Sequence, residues 1–363
     1  MKILILGGTG AMGVPLVEAL AKQDVDVTVT SRTAHISSGN IKYIQGNAKD
    51  INFTRQLMKQ RWDSVIDFMN YGTKEFRERI DILLSNTKQY VFISSARVYA
   101  QSEEKITENT PRLLDISDDK EYLSTDEYAL AKARCEDLLN KSGKQNWTII
   151  RPSITYNVNR LQLGVLEKEN WLYRAIRGRS IVFSKDIADK LTAMTLGSDV
   201  AKGIISIIGQ EKALGEVFHI VEPHAYAWSD ILEIYLDVIE EKTGKRPQVV
   251  MTDKTTCFAA DWAKYQIIYC RYYNRRFDSS KIGEFVDINS FTDVKNGLRF
   301  CLMEFLNNME FRKISWRLEG INDRVTGEWA NISEIKSLKD KVVYLLYRLG
   351  LGKICGILWR IIR

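Results

Sequence analysis

Three groups of residues carry types and spacings that could do chemistry. In Tyr128-Ala129-Leu130-Ala131-Lys132 a phenol and an ammonium stand four apart, so they share one face of a helix. A phenol with an ordinary pKa of about 10 is a poor base near neutrality, and a cation beside it makes the phenolate accessible. The pair suits proton transfer with a substrate hydroxyl, and the lysine can also reach a ribose hydroxyl. The second group is Ser94-Ser95-Ala96-Arg97-Val98-Tyr99, in which two hydroxyls close an apolar run. The third is Gly7-Gly8-Thr9-Gly10-Ala11-Met12-Gly13, a turn built for phosphate. With 16 tyrosines, a lone Tyr-x-x-x-Lys arises by chance, and its weight comes from following the other two in this order.

The elements that must position these residues can be read from the periodicity. Ile3–Leu6 is a short apolar run without alternation, a strand buried on both faces, and Val14–Lys22 has helical spacing. The glycines at 7, 10 and 13 then serve a tight turn, close approach to a pyrophosphate and close helix packing, with Thr9, Ala11 and Met12 offering backbone to the ligand. Their spacing is one residue wider than the G-x-G-x-x-G fingerprint. Further strands over Val25–Thr30, Ile41–Ile44, Ser64–Phe68, Gln89–Ser94 and Trp147–Ile150 alternate with helices over Ile51–Gln60 and Lys74–Ser85. This is the rhythm of an α/β fold, a Rossmann-type doubly wound parallel sheet, whose ligand crevice lies at the carboxyl ends of its strands.

Those ends supply the remaining cofactor candidates. The second strand closes on Ser31-Arg32, where an acid would hold the ribose of NAD. Arg32 suits a 2′-phosphate instead, which favours NADP within an NAD(P) assignment; an ordinary solvated loop arginine is the other reading. Asn47 and Ala48, in Gly46-Asn47-Ala48-Lys49-Asp50, would meet an adenine edge, and Asn70 follows the fourth strand.

Composition sets wider bounds. At 363 residues, 45% hydrophobic and 27% charged, the chain is a globular protein of one large domain plus a smaller lobe. Five cysteines without a C-x-x-C argue against a disulfide framework or structural zinc, and we expect no metal. The chain opens on its first strand and no apolar run approaches the ~20 residues of a membrane span, so we expect a cytoplasmic protein. His219 and His224 lack metal-ligand spacing. Gln101–Tyr122 is acidic and polar, a long loop that could cover the crevice. Arg174, Arg177, Arg179 and Lys190 could meet a second diphosphate or form a solvated face. Aromatic and basic residues interleave over 270–277, and residues 338–363 read as a basic amphipathic helix pair broken at glycines. That tail could lie on an anionic membrane surface, meet a partner, or pack on the protein's own body.

Over roughly residues 1–300 the chain resembles the extended short-chain dehydrogenase/reductases, the NAD-dependent epimerase/dehydratase family of nucleotide-sugar enzymes. The resemblance rests on the glycine turn, Ser94–Tyr99, Tyr128 to Lys132, Arg151-Pro152 and Phe277-Asp278-Ser279-Ser280-Lys281. It implies Tyr128 as general acid/base and Lys132 as its partner on the nicotinamide ribose. Ser95 would bind the reacting oxygen, Asn47 would sit near adenine and Pro152 beside the cofactor, with Arg97, Tyr156, Arg179 and Lys190 toward substrate. Ala96-Arg97 stands where 4,6-dehydratases carry acids, which disfavours dehydration. Tyr156-Asn157-Val158 replaces the usual Tyr-Gly-Pro. The second half is also similar to plant chloroplast stem-loop RNA-binding members of the family. The expectation is a nucleotide-sugar epimerase, with a keto-sugar reductase using NADPH as the alternative and a non-catalytic RNA-binding or scaffold protein behind it. The implied partners are a nucleotide-diphosphate sugar and a second copy in a homodimer, with no nucleic acid. The expected divisions are a dinucleotide-binding domain over 1–165 completed by segments around 197–221, a substrate lobe over 166–300, and a helical extension over 301–363.

Overall fold

A computed structural model describes residues 1–352. The chain divides into two compact units, and both are discontinuous in sequence. Unit 1 comprises Met1–Asn157, Ala193–Ala225 and Arg275–Val294; unit 2 comprises Val158–Thr192, Tyr226–Asn274 and the described residues from Lys295. The first division thus falls at 157, and residues 301–352 join unit 2 instead of standing apart. The return over 275–294 was not foreseen.

Unit 1 is built on seven parallel strands: β1 (Lys2–Leu6), β2 (Asp26–Ser31), β3 (Ile41–Gln45), β4 (Trp62–Asp67), β5 (Thr87–Ile93), β6 (Trp147–Ile150) and β7 (Glu216–Phe218). Their order is β7-β6-β5-β4-β1-β2-β3, so the winding reverses between β1 and β4. This is the Rossmann-like order expected of a doubly wound sheet. Helices α1 (Gly13–Leu20), α2 (Ile51–Leu57), α3 (Tyr128–Asn140) and α4 (Gly197–Ile207) flank it. Two buried layers explain why the strands are apolar on both faces. Ile3, Ile5, Val27 and Val29 pack with Leu16, Val200 and Ile204 on one side. Leu4, Leu6, Val65 and Phe92 pack with Phe76, Leu83, Cys135 and Leu139 on the other.

The helix expected over Lys74–Ser85 is two short helices, Thr73–Arg77 and Ile80–Ser85. The segment expected as a long cover over 101–122 is also structured, with short helices at Leu113–Ile116 and Lys120–Leu123. It is fastened within unit 1, where Ile106 pairs with Phe277 and Arg112 pairs with Asp115, Glu136 and Asp137.

Unit 2 holds a parallel strand pair, Ile181–Ser184 with Val249–Thr252, and an antiparallel pair, Leu191–Thr192 with Tyr226–Ala227. Its longer helices are α5 (Trp228–Thr243), α6 (Val294–Asn307), α7 (Trp316–Thr326) and α8 (Leu338–Arg348). Gly244 ends α5 at φ 71°, a left-handed stop that only glycine adopts without strain. Of the helix pair expected over 338–363, α8 forms the first part; the remainder, from residue 353, lies outside the described residues. Among the described residues no helix is long and apolar enough to cross a membrane.

Candidate active site

The glycine turn joins β1 to α1 at the carboxyl edge of the sheet. Gly7 has φ 76°, and its N–H donates to Thr30 Oγ1 at 3.1 Å, which ties the turn to β2. A Cβ on Gly13 would stand 2.6 Å from the Gly8 carbonyl, so this glycine lets α1 seat against the turn. A Cβ on Gly10 would meet nothing within 4 Å. That open face, with a first helical turn that no side chain caps, fits an approaching pyrophosphate. Asn157 Nδ2 reaches the Ala11 carbonyl at 3.4 Å, so the residue replacing the usual glycine supports the turn from the side.

At the end of β2, Ser31 is buried and hydrogen-bonds Thr33, whereas Arg32 is exposed and has no ion pair among the described residues. Asn47 Oδ1 accepts from Lys49 N, Ala48 is buried, and Asp50 caps α2 by accepting from Asn52 and Phe53 N–H groups. Asn70 is exposed just past β4.

The two serines after β5 have different partners. Ser94 donates to Glu136 Oε1 at 2.5 Å, deep in a buried cluster where Arg151 and Arg112 also bind Glu136. Ser95 accepts from Arg97 N–H at 3.1 Å, and its hydroxyl hydrogen is uncommitted among the described residues. The structure therefore separates a structural serine from an available one.

Lys132 is 3% exposed and donates to the carbonyls of Ile93 at 2.7 Å and Met69 at 3.3 Å. Its Nζ lies 5.9 Å from the centre of the Tyr128 ring. Arg97 stands on Tyr128 as well, its guanidinium 5.1 Å from the ring centre and held at 2.6 Å by Glu127. The half-buried phenol thus has two cations within 6 Å of its ring centre, each fixed by oxygen partners. Beneath Lys132, fully buried Asp67 accepts from Tyr90 Oη at 2.8 Å, Tyr71 Oη at 3.1 Å and Met69 N–H at 2.9 Å. Burial raises the Asp67 carboxyl above its ordinary range, and this bonding holds the backbone that Lys132 grips.

A family model described as NAD(P)H-binding matches residues 7–195, more than half of the chain and all of the glycine turn. The chain belongs to this NAD(P)H-binding family. It is 27% identical over 236 residues to the chloroplast stem-loop binding protein of 41 kDa b of Arabidopsis thaliana, covering 60% of this chain and 58% of that protein. The chain therefore matches less than two thirds of that relative's length. UDP-glucuronic acid 4-epimerase of Bacillus cereus, solved with UDP-glucuronic acid and NAD, aligns over 84% of this chain and 100% of its own with TM-score 0.63 at 15% identity. dTDP-glucose 4,6-dehydratase of Bacillus anthracis, solved with NAD, aligns over 86% and 98% with TM-score 0.65 at 16% identity. The fold is that of the extended short-chain dehydrogenase/reductases.

For a member of the NAD(P)H-binding family, unit 1 gathers the glycine turn, Asn70, Ser95, Arg97, Tyr128, Lys132 and Pro152 on the carboxyl side of its sheet, where the Pro152 carbonyl accepts from Ala96 N–H at 2.9 Å. Tyr156 is buried in the short strand Ile154–Tyr156. Arg179 and Lys190 belong to unit 2. The expectation that Arg179 offers a free charge does not hold: it is buried, with Glu319 Oε2 at 2.9 Å and Asp323 Oδ2 at 3.0 Å. Arg174 is fully buried on Asp323 and Glu328, and Arg177 pairs with Glu334. Lys190 Nζ lies 3.5 Å from Asp189. Two residues that the sequence reading missed are Glu136 and Asp67. Glu136 had a signal, since Tyr128, Lys132 and Glu136 are successive steps of four on α3. Asp67 had none, because a single acid ending an apolar strand reads as punctuation.

Proposed function

We propose that the protein is a nucleotide-sugar epimerase that works through a bound nicotinamide dinucleotide. The observation that carries this reading is Tyr128 with Lys132 and Arg97 within 6 Å of its ring centre, on the sheet edge that also bears the glycine turn and Ser95. The dinucleotide, when bound, would supply a hydride acceptor that gives the hydride back to the other face of the same sugar carbon. Tyr128 takes the proton of the sugar hydroxyl and later returns it. Lys132 and Arg97 stabilise the phenolate between these steps, and Ser95 donates to the sugar oxygen as its charge changes. Ala96-Arg97 adds no carboxylate beside Ser95, so elimination of water lacks the extra acid and base it needs.

Exposed Arg32 at the end of β2 favours a second reading, an NADPH-dependent keto-sugar reductase with the same proton donor. An RNA-binding role receives less support. Arg271 is buried on the Gly164 carbonyl and against Trp228, and Arg275 is buried on the Tyr99 and Ala100 carbonyls. Four described cysteines are free thiols, in keeping with a cytoplasmic setting. The assembly we propose is a homodimer, which light scattering would test.

The deciding experiment is to identify the dinucleotide that copurifies, then assay UDP- and dTDP-sugars with the Tyr128→Phe variant as control. Tightly held NAD⁺ with stereochemical inversion of the sugar supports the epimerase, and consumption of NADPH supports the reductase. The variant should bind dinucleotide and lose at least about a hundredfold in turnover. Full activity in the variant would sink the assignment.

A further inference from the structure

We propose that α8, with Leu349 and the adjacent Trp329, forms a peripheral docking surface for an anionic lipid membrane, independently of the reaction above. The charge distribution is the first observation. Residues 336–363 carry seven lysines and arginines against the single acid Asp340, an excess of six that equals the formal net charge of the whole chain, +6. Everything before residue 336 is therefore balanced. The single acid is itself engaged, accepting from Ser337 Oγ at 2.8 Å in the cap of α8.

The second observation is the face that α8 leaves uncovered. Tyr344 and Tyr347 turn toward α7, where a Cβ on Gly320 would lie 2.6 Å from the Tyr344 carbonyl and 3.1 Å from Tyr347 Cβ. Tyr344 is fully buried and donates to Asp323 at 2.8 Å, which fixes the rotation of the helix. Leu338, Val342 and Leu349 then face outward, 77%, 44% and 57% exposed, with half-exposed Leu346 on the same stripe. At about 100° per residue, Lys339 and Lys341 fall on the two shoulders of that stripe. Trp329, 53% exposed, stands beside the helix with the Arg348 guanidinium 4.4 Å from its ring centre.

An apolar stripe with basic shoulders and an adjacent tryptophan matches the boundary between acyl chains and anionic headgroups. Nucleic acid would satisfy the lysines and leave the leucines in water. A second copy would bring two strongly positive surfaces together. Residues 353–363 extend the same composition, with Lys353, Arg360 and Arg363 among Ile354, Ile357, Leu358, Trp359, Ile361 and Ile362.

The test is sedimentation of the full chain with vesicles of phosphatidylcholine, with and without phosphatidylglycerol as a third of the lipid. Binding to the mixed vesicles should be at least about tenfold tighter than to neutral ones, and should weaken as much in high salt. The exposed-site pairs Leu338→Glu with Val342→Glu, and Lys339→Glu with Lys341→Glu, should each lose at least about tenfold while circular dichroism stays unchanged. Equal affinity for both vesicles, or none for either, overturns the proposal. So does binding that survives both pairs and disappears only when 353–363 are removed. A concentration-dependent dimer, or a complex with an RNA oligonucleotide, that these variants abolish while vesicles remain unbound would overturn it in favour of those partners.

Discussion

At the scale of single residues, the neighbouring hydroxyls of Ser94 and Ser95 offer the sharpest discrimination. Ser94→Ala removes a donor from Glu136 and leaves Tyr128 untouched, so it should lower stability by about 1–2 kcal/mol with kcat nearly intact. Ser95→Ala should leave stability unchanged and lower kcat by at least about tenfold, since its hydrogen has no internal use. Thermal melting and a turnover assay on both variants separate the two roles, and the reverse pattern would reassign them. Glu136 is the linchpin of the buried cluster. Glu136→Gln leaves the buried Arg151 without its carboxylate partner, and should cost about 3–5 kcal/mol in denaturant unfolding.

At the scale of elements, the turn between β1 and α1 makes a prediction that separates packing from ligand binding. Gly13→Ala forces a methyl against the Gly8 carbonyl, so the helix must move, and the free protein should lose about 1–3 kcal/mol together with dinucleotide affinity. Gly10→Ala puts its methyl into open space, so the melting temperature without ligand should hardly change. The added NAD⁺ or NADPH that stabilises the parent should then fail to stabilise Gly10→Ala, because the methyl occupies the approach of the pyrophosphate. Equal ligand shifts in parent and Gly10→Ala would place the phosphates elsewhere. This turn was legible in sequence because each glycine answers a local steric demand within thirteen residues. The segment 101–122 was not: Ile106 is held by Phe277 and Tyr99 by Arg275, contacts more than 170 residues apart that no local pattern announces.

At the scale of the whole molecule, the division of the chain was the hardest feature to read. Strands and helices of unit 1 follow hydrophobic period, so the sheet was foreseeable strand by strand; the crossings at 157, 193, 226, 275 and 295 depend on which core each segment joins. The arginines of unit 2 illustrate the same limit. Arg174 and Arg179 looked like ligands because their acids, Glu319 and Asp323, lie some 145 residues away in sequence. Their cluster carries the pH dependence expected of unit 2. Burial pushes the Glu319 carboxyl up to about 7, well above its value in an unfolded chain, so between about pH 4.5 and 7 the folded state holds a proton that the unfolded state has released. Glu319 therefore stabilises the fold most below pH 4.5, and this contribution is lost as the pH rises through 7. Glu328, lowered by its bonds to Ser180, titrates in the opposite sense but below the same window. Between pH 5 and 8 the denaturation midpoint of the parent should fall, relative to that of Glu319→Gln, by the equivalent of about 1–3 kcal/mol, whatever the variant's absolute stability. An unchanged slope in the variant would mean that Glu319 is ionised throughout, neutralised by Arg174 and Arg179.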